Sequence, residues 1–176
     1  LNAVRVAEGL HEIGIYFGSN PEYINDEIIE ALQKLPLRGN QVAFGLQTLD
    51  ERVNKQFLNR PFHKEKFLRN LKRVLDRLKN THTVVSVDLI YGLPGDTYEG
   101  FRKTLDTLFS EIPIEHIMHF PLMVLPGSYF WDHAAEYGLV FEPESPHTLI
   151  SSDTFPHEDM DRVRRLVFFM QMFENF

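Results

Sequence analysis

The 176-residue sequence contains no cysteine. Disulfide scaffolds, cysteine-type zinc sites, cysteine nucleophiles and thiolate-bound iron–sulfur clusters are therefore excluded within these residues. No apolar run approaches the ~20 residues that span a bilayer, and no basic start leads into an apolar leader core. Gly/Ser-rich linkers, low-complexity tracts and repeats of fixed period are also missing. At roughly 1.2 average domain lengths, one compact unit is expected. Positive charge is the minority sign: 18 Lys and Arg face 25 Asp and Glu, a net −7 with histidine neutral. That balance disfavours nonspecific adhesion to nucleic acid or to an anionic membrane. With 43% apolar and 24% charged residues, the chain is too apolar for intrinsic disorder. A cytoplasmic location is expected. The chain opens at Leu1 rather than at methionine, which we read as a cut or processed piece, so half of an active site is expected to lie elsewhere.

What is present is an alternation of strand and helix patterns. Residues 2–10 read as a helix tail, followed by a strand-like run over Ile13–Phe17. A turn at Asn20-Pro21 leads to a helix with Ile28, Ile29, Leu32 and Leu35 on one face, stopped by Pro36 and Gly39. Val42–Leu46 suits a buried strand. Thr48 and Glu51 form a T-x-x-E capping box, predicting a helix just after Gln47. Phe67, Leu71, Leu75 and Leu78 make the cleanest amphipathic stripe, ending at Asn80. Val84–Ile90 is the best strand, rich in β-branched residues. After the turn Gly92-Leu93-Pro94-Gly95, Asp96 and Glu99 resemble a second capping box, with Phe101, Leu105 and Leu108 continuing the helix. A strand over Ile117–Val124 comes next, and then a short helix carrying Trp131. Residues 138–156 read as irregular with one strand near Leu149-Ile150, and the chain is helical from Pro156.

Four strand–helix units in about 135 residues suit right-handed crossovers and a parallel sheet. A closed eight-unit barrel needs ~200–250 residues, so the expected fold is α/β, an open or half TIM-like barrel of about four parallel units plus a C-terminal helix. The half barrel is assigned to residues 1–137. Residues 138–176 are assigned to an irregular extension and C-terminal helix packed on the same domain.

In such folds the ligand lies beyond the carboxyl ends of the strands. Gln47 closes the strand from Val42, and Asp88 lies near the end of the strand from Val84. Adjacent strands are ~4.8 Å apart, so the two side chains could meet one small molecule. An Asp there could accept both hydroxyls of a ribose, and the small turn after it lets backbone approach a flat ring. Arg60, between two helices on the same side, could clamp a carboxylate. The plain structural alternatives are open at this point: Asp88 as a cap or a lysine partner, Gln47 as a turn amide, Arg60 as a surface residue. The turn at 92–97 has no Lys of a phosphate loop. His116 and His119 fall on opposite faces of a strand, which disfavours shared metal ligation. Leu166–Met170 is apolar nearly all round, a core helix first and a docking face second.

Three segments carry a resemblance: Phe44-Gly45-Leu46-Gln47-Thr48 with Leu58-Asn59-Arg60; Asp88-Leu89-Ile90-Tyr91-Gly92-Leu93-Pro94-Gly95; and Leu122-Met123-Val124-Leu125-Pro126-Gly127-Ser128. In this order and spacing they resemble the carboxyl half of the radical S-adenosylmethionine (SAM) enzymes. The branch is the one containing anaerobic coproporphyrinogen oxidase and the cobalamin-binding radical SAM proteins. The resemblance covers about residues 12–137, and the tail from Leu139 is similar to an extension in cobalamin-associated members. It implies a partial (β/α)6 barrel whose top face holds SAM against a [4Fe–4S] cluster, with cobalamin as a further implied cofactor. Gln47 then matches the SAM-contacting glutamine, Arg60 the residue facing the methionyl carboxylate, and Asp88 the ribose partner. Backbone from Ile90 to Gly92, and the strand around Met123, would border the adenine.

The departure matters as much. The family's C-x-x-x-C-x-x-C loop and its glycine-rich motif do not occur in this sequence. The expectation is a piece of a radical SAM oxidoreductase or transferase that is inactive alone, completed by the missing N-terminal half of its barrel. Pairing through an exposed first-strand edge is expected, and neither membrane nor direct nucleic-acid contact is. Two rivals stand beside this reading. A non-catalytic scaffold predicts Gln47 and Asp88 bonded into local structure. A cofactor-free acid–base enzyme requires His116 or His119 beside Asp88.

Overall fold

The computed structural model describes residues 15–34 and 40–174. The helical pattern over 2–10, the strand start at Ile13 and the helix end at Leu35, Pro36 and Gly39 lie outside the described residues. The elements run β1 (Tyr16–Ser19), a 3-10 turn (Pro21–Tyr23), α1 (Asp26–Gln33), β2 (Asn40–Gln47), α2 (Glu51–Gln56), α3 (Lys64–Leu78), β3 (Thr83–Tyr91), α4 (Tyr98–Glu111), β4 (His116–Pro121), α5 (Tyr129–Asp132), a second 3-10 turn (Ala134–Tyr137), β5 (Val140–Phe141), β6 (Leu149–Ser151) and α6 (His157–Glu174). Strands β1 to β4 form one parallel sheet in chain order, the α/β arrangement expected. The β1–β2 register sets Tyr16 opposite Gln41 and Ser19 opposite Phe44. β5 and β6 make a separate antiparallel pair.

Local chemistry accounts for these boundaries. The Asn25 side chain accepts from the Ile28 N–H at 2.9 Å, which starts α1. α3 has no side-chain cap; its apolar stripe holds it, with Phe67, Leu71, Val74 and Leu78 all buried. Two capping assignments need correction. The helix after β2 starts at Glu51, because Asp50, not Thr48, accepts from Arg52 N–H (2.8 Å) and Val53 N–H (3.0 Å). Thr48 Oγ1 instead accepts from Asp50 N–H at 3.2 Å, two residues too early to cap the helix. Likewise Thr97 Oγ1, not Asp96, accepts from Gly100 N–H at 3.1 Å at the start of α4. β4 stops at Pro121, sooner than expected, since proline has no N–H to continue a ladder.

The chain forms two compact units, interleaved along the sequence. One holds Leu1–Leu46, His63–Asp88 and Leu108–Met118; the other holds Gln47–Phe62, Leu89–Thr107 and His119–Phe176. In the first, α1 and the turn before it are tied to α3 by Lys66–Glu22 (2.7 Å) and by the Arg73 guanidinium, which donates to the Ile24 carbonyl. In the second, β6 and α6 pack around Leu149, Phe155, Met160 and Val163, all with no exposed surface.

Candidate functional site

The second unit collects the segments beyond the carboxyl ends of β2, β3 and β4. Gln47, the last residue of β2, takes a left-handed backbone (φ 64°), uncommon outside glycine. Its Oε1 is buried and has no hydrogen-bond partner among the described residues. The loop beyond is fixed by Asn54, which is fully buried. Its amide donates to the carbonyls of Thr48 (2.9 Å) and Asp50 (3.0 Å). The Asn54 backbone carbonyl in turn accepts from Arg60 N–H at 2.9 Å. Asn54 therefore sets both the exit from β2 and the position of half-buried Arg60. Sequence reasoning passed over it, since nothing in the spacing of a short polar helix marks one Asn as buried.

After β3 the chain turns at Gly92 (φ 84°) and Gly95 (φ 79°). A Cβ on Gly92 would stand 2.8 Å from Leu149 Cδ2 and 3.1 Å from Met160 Sδ, so only glycine fits. Ile90 is half-buried and faces away from Tyr91 by strand alternation. The Tyr91 carbonyl accepts from Leu122 N–H and the Leu122 carbonyl from Leu149 N–H, both at 2.9 Å. Met123, 41% exposed, bridges to Thr148. The turn's last residue, Asp96, is buried and accepts from Thr97 N–H at 2.8 Å. Burial pushes its carboxyl up to about 6; the Thr97 N–H opposes this and the charge of Asp50 adds to it.

Gln47, Arg60, Ile90, Gly92 and Met123 thus fall in one compact unit. Asp88 belongs to the other, as its last residue before the boundary in β3. It is half-buried, its Oδ1 is buried without a partner among the described residues, and burial raises its carboxyl above the ordinary value. Neither a cap nor a lysine holds that oxygen. His119 packs edge-on to Phe101, as does Tyr91. Alternation places Asp88 and Ile90 on the opposite side of β3 from Tyr91. Burial lowers the His119 pKa to about 4, and neither ring nitrogen has a partner among the described residues. A groove of about 760 Å³ in the first unit, lined by Leu75, Leu78, Val84, Pro113 and His116, opens at the first residues of β3 and β4. Among the described residues its lining carries the close charge pair Lys79–Asp76 at 2.7 Å.

Four parallel strands in one sheet, with helices between them, define the α/β class in which ligands lie beyond the carboxyl ends of the strands. The Radical SAM superfamily profile matches residues 2–108, and the chain belongs to that superfamily. Among curated relatives, tRNA-2-methylthio-N(6)-dimethylallyladenosine synthase of Corynebacterium urealyticum is 32% identical over 108 residues, 61% of this chain and 19% of that protein. The same enzyme of Aquifex aeolicus is 28% identical over 128 residues, 73% of this chain and 28% of that protein. The chain thus spans between a fifth and three tenths of these relatives' lengths. Among solved structures, coproporphyrinogen III oxidase (HemN) from Escherichia coli, a radical SAM enzyme, aligns with TM-score 0.60 at 21% identity, covering 92% of this chain and 32% of that one. The methyltransferase TsrM from Kitasatospora setae, with cobalamin and a [4Fe–4S] cluster bound, aligns with TM-score 0.61 at 15% identity, covering 82% and 29%. These neighbours establish the fold, a partial radical SAM barrel. The superfamily's cofactors are SAM and a [4Fe–4S] cluster.

Proposed function

We propose that these residues form the SAM-facing portion of a radical SAM oxidoreductase or transferase. The observation that carries the reading is Gln47 Oε1, buried and without a hydrogen-bond partner among the described residues, in the compact unit that also holds Arg60, Ile90, Gly92 and Met123. Leaving a buried acceptor unpaired costs ~1–3 kcal/mol, a cost that a ligand's donors relieve. SAM offers donors of the kind required: an amine, a ribose diol and an adenine amine. Gln47 accepts from the cofactor and Arg60 faces the methionyl carboxylate; Asp88, in the other unit, is the ribose partner that the resemblance implies, and its Oδ1 is likewise buried and without a partner among the described residues. Ile90, the Gly92 backbone and Met123 border the adenine and keep water from it.

The cluster does not fit these residues, because no cysteine is present to ligate iron. When bound to its own ligands, such a cluster supplies the electron that cleaves SAM to a 5′-deoxyadenosyl radical. The thiolates come from protein outside these 176 residues, in keeping with the short span of the relatives that the chain covers. Alone, the chain binds the nucleoside without cleaving it. A cytoplasmic setting, cobalamin as a further cofactor of the whole protein, and a surface with net charge −7 that does not itself grip RNA belong to the same reading.

Titration calorimetry with S-adenosylhomocysteine tests it. Binding is expected for the chain, weakened about tenfold or more in Asp88→Ala and in Gln47→Ala, each removing one or two charge-assisted or neutral hydrogen bonds. Affinity unchanged in both variants, or release of 5′-deoxyadenosine from SAM by the chain free of other protein, overturns the proposal.

A further inference from the structure

The turn after β3 is held from two sides by chain segments far away in sequence. Both polar groups of the Gly95 backbone are taken by side chains: its N–H donates to Thr154 Oγ1 at 3.0 Å, and its carbonyl accepts from the Arg52 guanidinium at 2.5 Å. At the other end of the turn, Leu149 and Met160 occupy the space that a Cβ on Gly92 would need. Between these two points the backbone is laced in series, from Tyr91 to Leu122 and from Leu122 to Leu149, while Val124 N–H donates to the His147 carbonyl at 3.0 Å. Residues 147–160 therefore touch Gly92, Gly95, Leu122 and Val124 at once. What the segment gives the turn is one hydroxyl, two apolar side chains and backbone.

We infer that the extension from His147 to Met160 is a clamp that positions the β3 turn, with Thr154 as its positioning residue. This deepens the SAM reading, because Ile90, Gly92 and Met123, the residues given to the adenine, lie on the clamped backbone. Thr154 reaches the cofactor only through Gly95, and its side chain is exposed enough that its replacement leaves the core alone. The hydroxyl is the one part of this clamp that can be removed without opening a cavity. Valine keeps the shape of threonine and deletes the acceptor; serine keeps the acceptor.

The test is amide hydrogen exchange and S-adenosylhomocysteine binding on the full 176-residue chain, comparing wild type, Thr154→Val and Thr154→Ser. In Thr154→Val the Gly95 amide is expected to exchange about tenfold faster, the effect of losing one partly buried hydrogen bond. The amides of Leu122 and Leu149 should speed up to a smaller degree, and those of Leu105 and Leu108 in α4 not at all. Affinity for S-adenosylhomocysteine should fall several-fold in Thr154→Val and return in Thr154→Ser. An unchanged Gly95 amide overturns the clamp, and so does equal acceleration in α4, which would report general destabilisation. Faster Gly95 exchange with equal affinity in all three proteins overturns the positioning role. No binding by wild type defeats the SAM reading instead, and the exchange pattern still decides the clamp.

Discussion

His119 is neutral where it sits until the pH falls to about 4. It packs on Phe101 with 8% exposure, both ring nitrogens lack partners among the described residues, and its pKa falls to about 4 because burial penalises the cation. In the unfolded chain the same group titrates near 6.5. Between those values the unfolded state binds more protons, so stability falls as pH drops from 6.5 toward 4. Asp96 has the opposite sign. Its folded pKa of about 6 against 3.8 unfolded means that the folded state takes the proton first, and stability rises as pH falls through 6. His119→Leu should therefore raise the melting temperature relative to wild type at pH 4.5 and much less at pH 7.5, on the order of 2–3 kcal/mol at the acid end. Asp96→Asn should stabilise at pH 7.5 and lose its effect near pH 4. Equal shifts at both pH values would show that packing, and not titration, governs these sites. The glycines make a cleaner comparison. Gly92 and Gly127 share a positive φ, but only Gly92 has neighbours where a Cβ would go. Gly127→Ala should cost about 1 kcal/mol and Gly92→Ala clearly more, measured as the urea midpoint, because strain and collision add there.

Element boundaries separate what periodicity reveals from what it hides. The stripe of α3 and the β-branched run of β3 were legible because burial of one face repeats along the chain. Caps were less legible, since a cap is a competition between neighbouring oxygens. At β2's exit Thr48 and Asp50 both stand near a helix start, and the carboxylate takes two N–H groups where the hydroxyl reaches neither. Asp50→Ala should then cost about 1 kcal/mol by urea denaturation and Thr48→Ala should not unwind α2. A larger loss of α2 amide protection in Thr48→Ala than in Asp50→Ala would restore the T-x-x-E box. For the candidate site, strand-end logic and resemblance together singled out Gln47, Arg60 and Asp88. The buried acceptors themselves could not be seen, because a missing partner is a property of the whole fold. Asn54 and Thr154 went unseen for the same reason: each acts on backbone 6 to 59 residues away, and no local pattern records it. The extension's extra strand, β5, is two residues long, below the reach of any alternation rule.

At the scale of the whole molecule the question is how the sheet ends. Chain order makes β1 and β4 its two outer strands. Past the end of β4, Leu122 and Met123 meet Leu149 and Thr148 on their far side, so the extension shields that edge where it leaves the sheet. β1 has no such cover among the described residues: it pairs with β2 alone, and Tyr16 is 63% exposed. An outer strand with unpaired backbone groups and an exposed aromatic is a template for another strand. Two sources can supply one, the remaining barrel of a longer protein or a second copy of this chain, and in solution on its own only the second is available. Sedimentation velocity over rising concentration should therefore show a monomer passing to a dimer. Tyr16→Lys, which places a charge on that edge, should remain monomeric with an unchanged melting temperature. A wild-type chain that stays monomeric at the highest concentration would mean that the four residues of β1 are too short and too twisted to recruit a partner, and that the edge is closed without one.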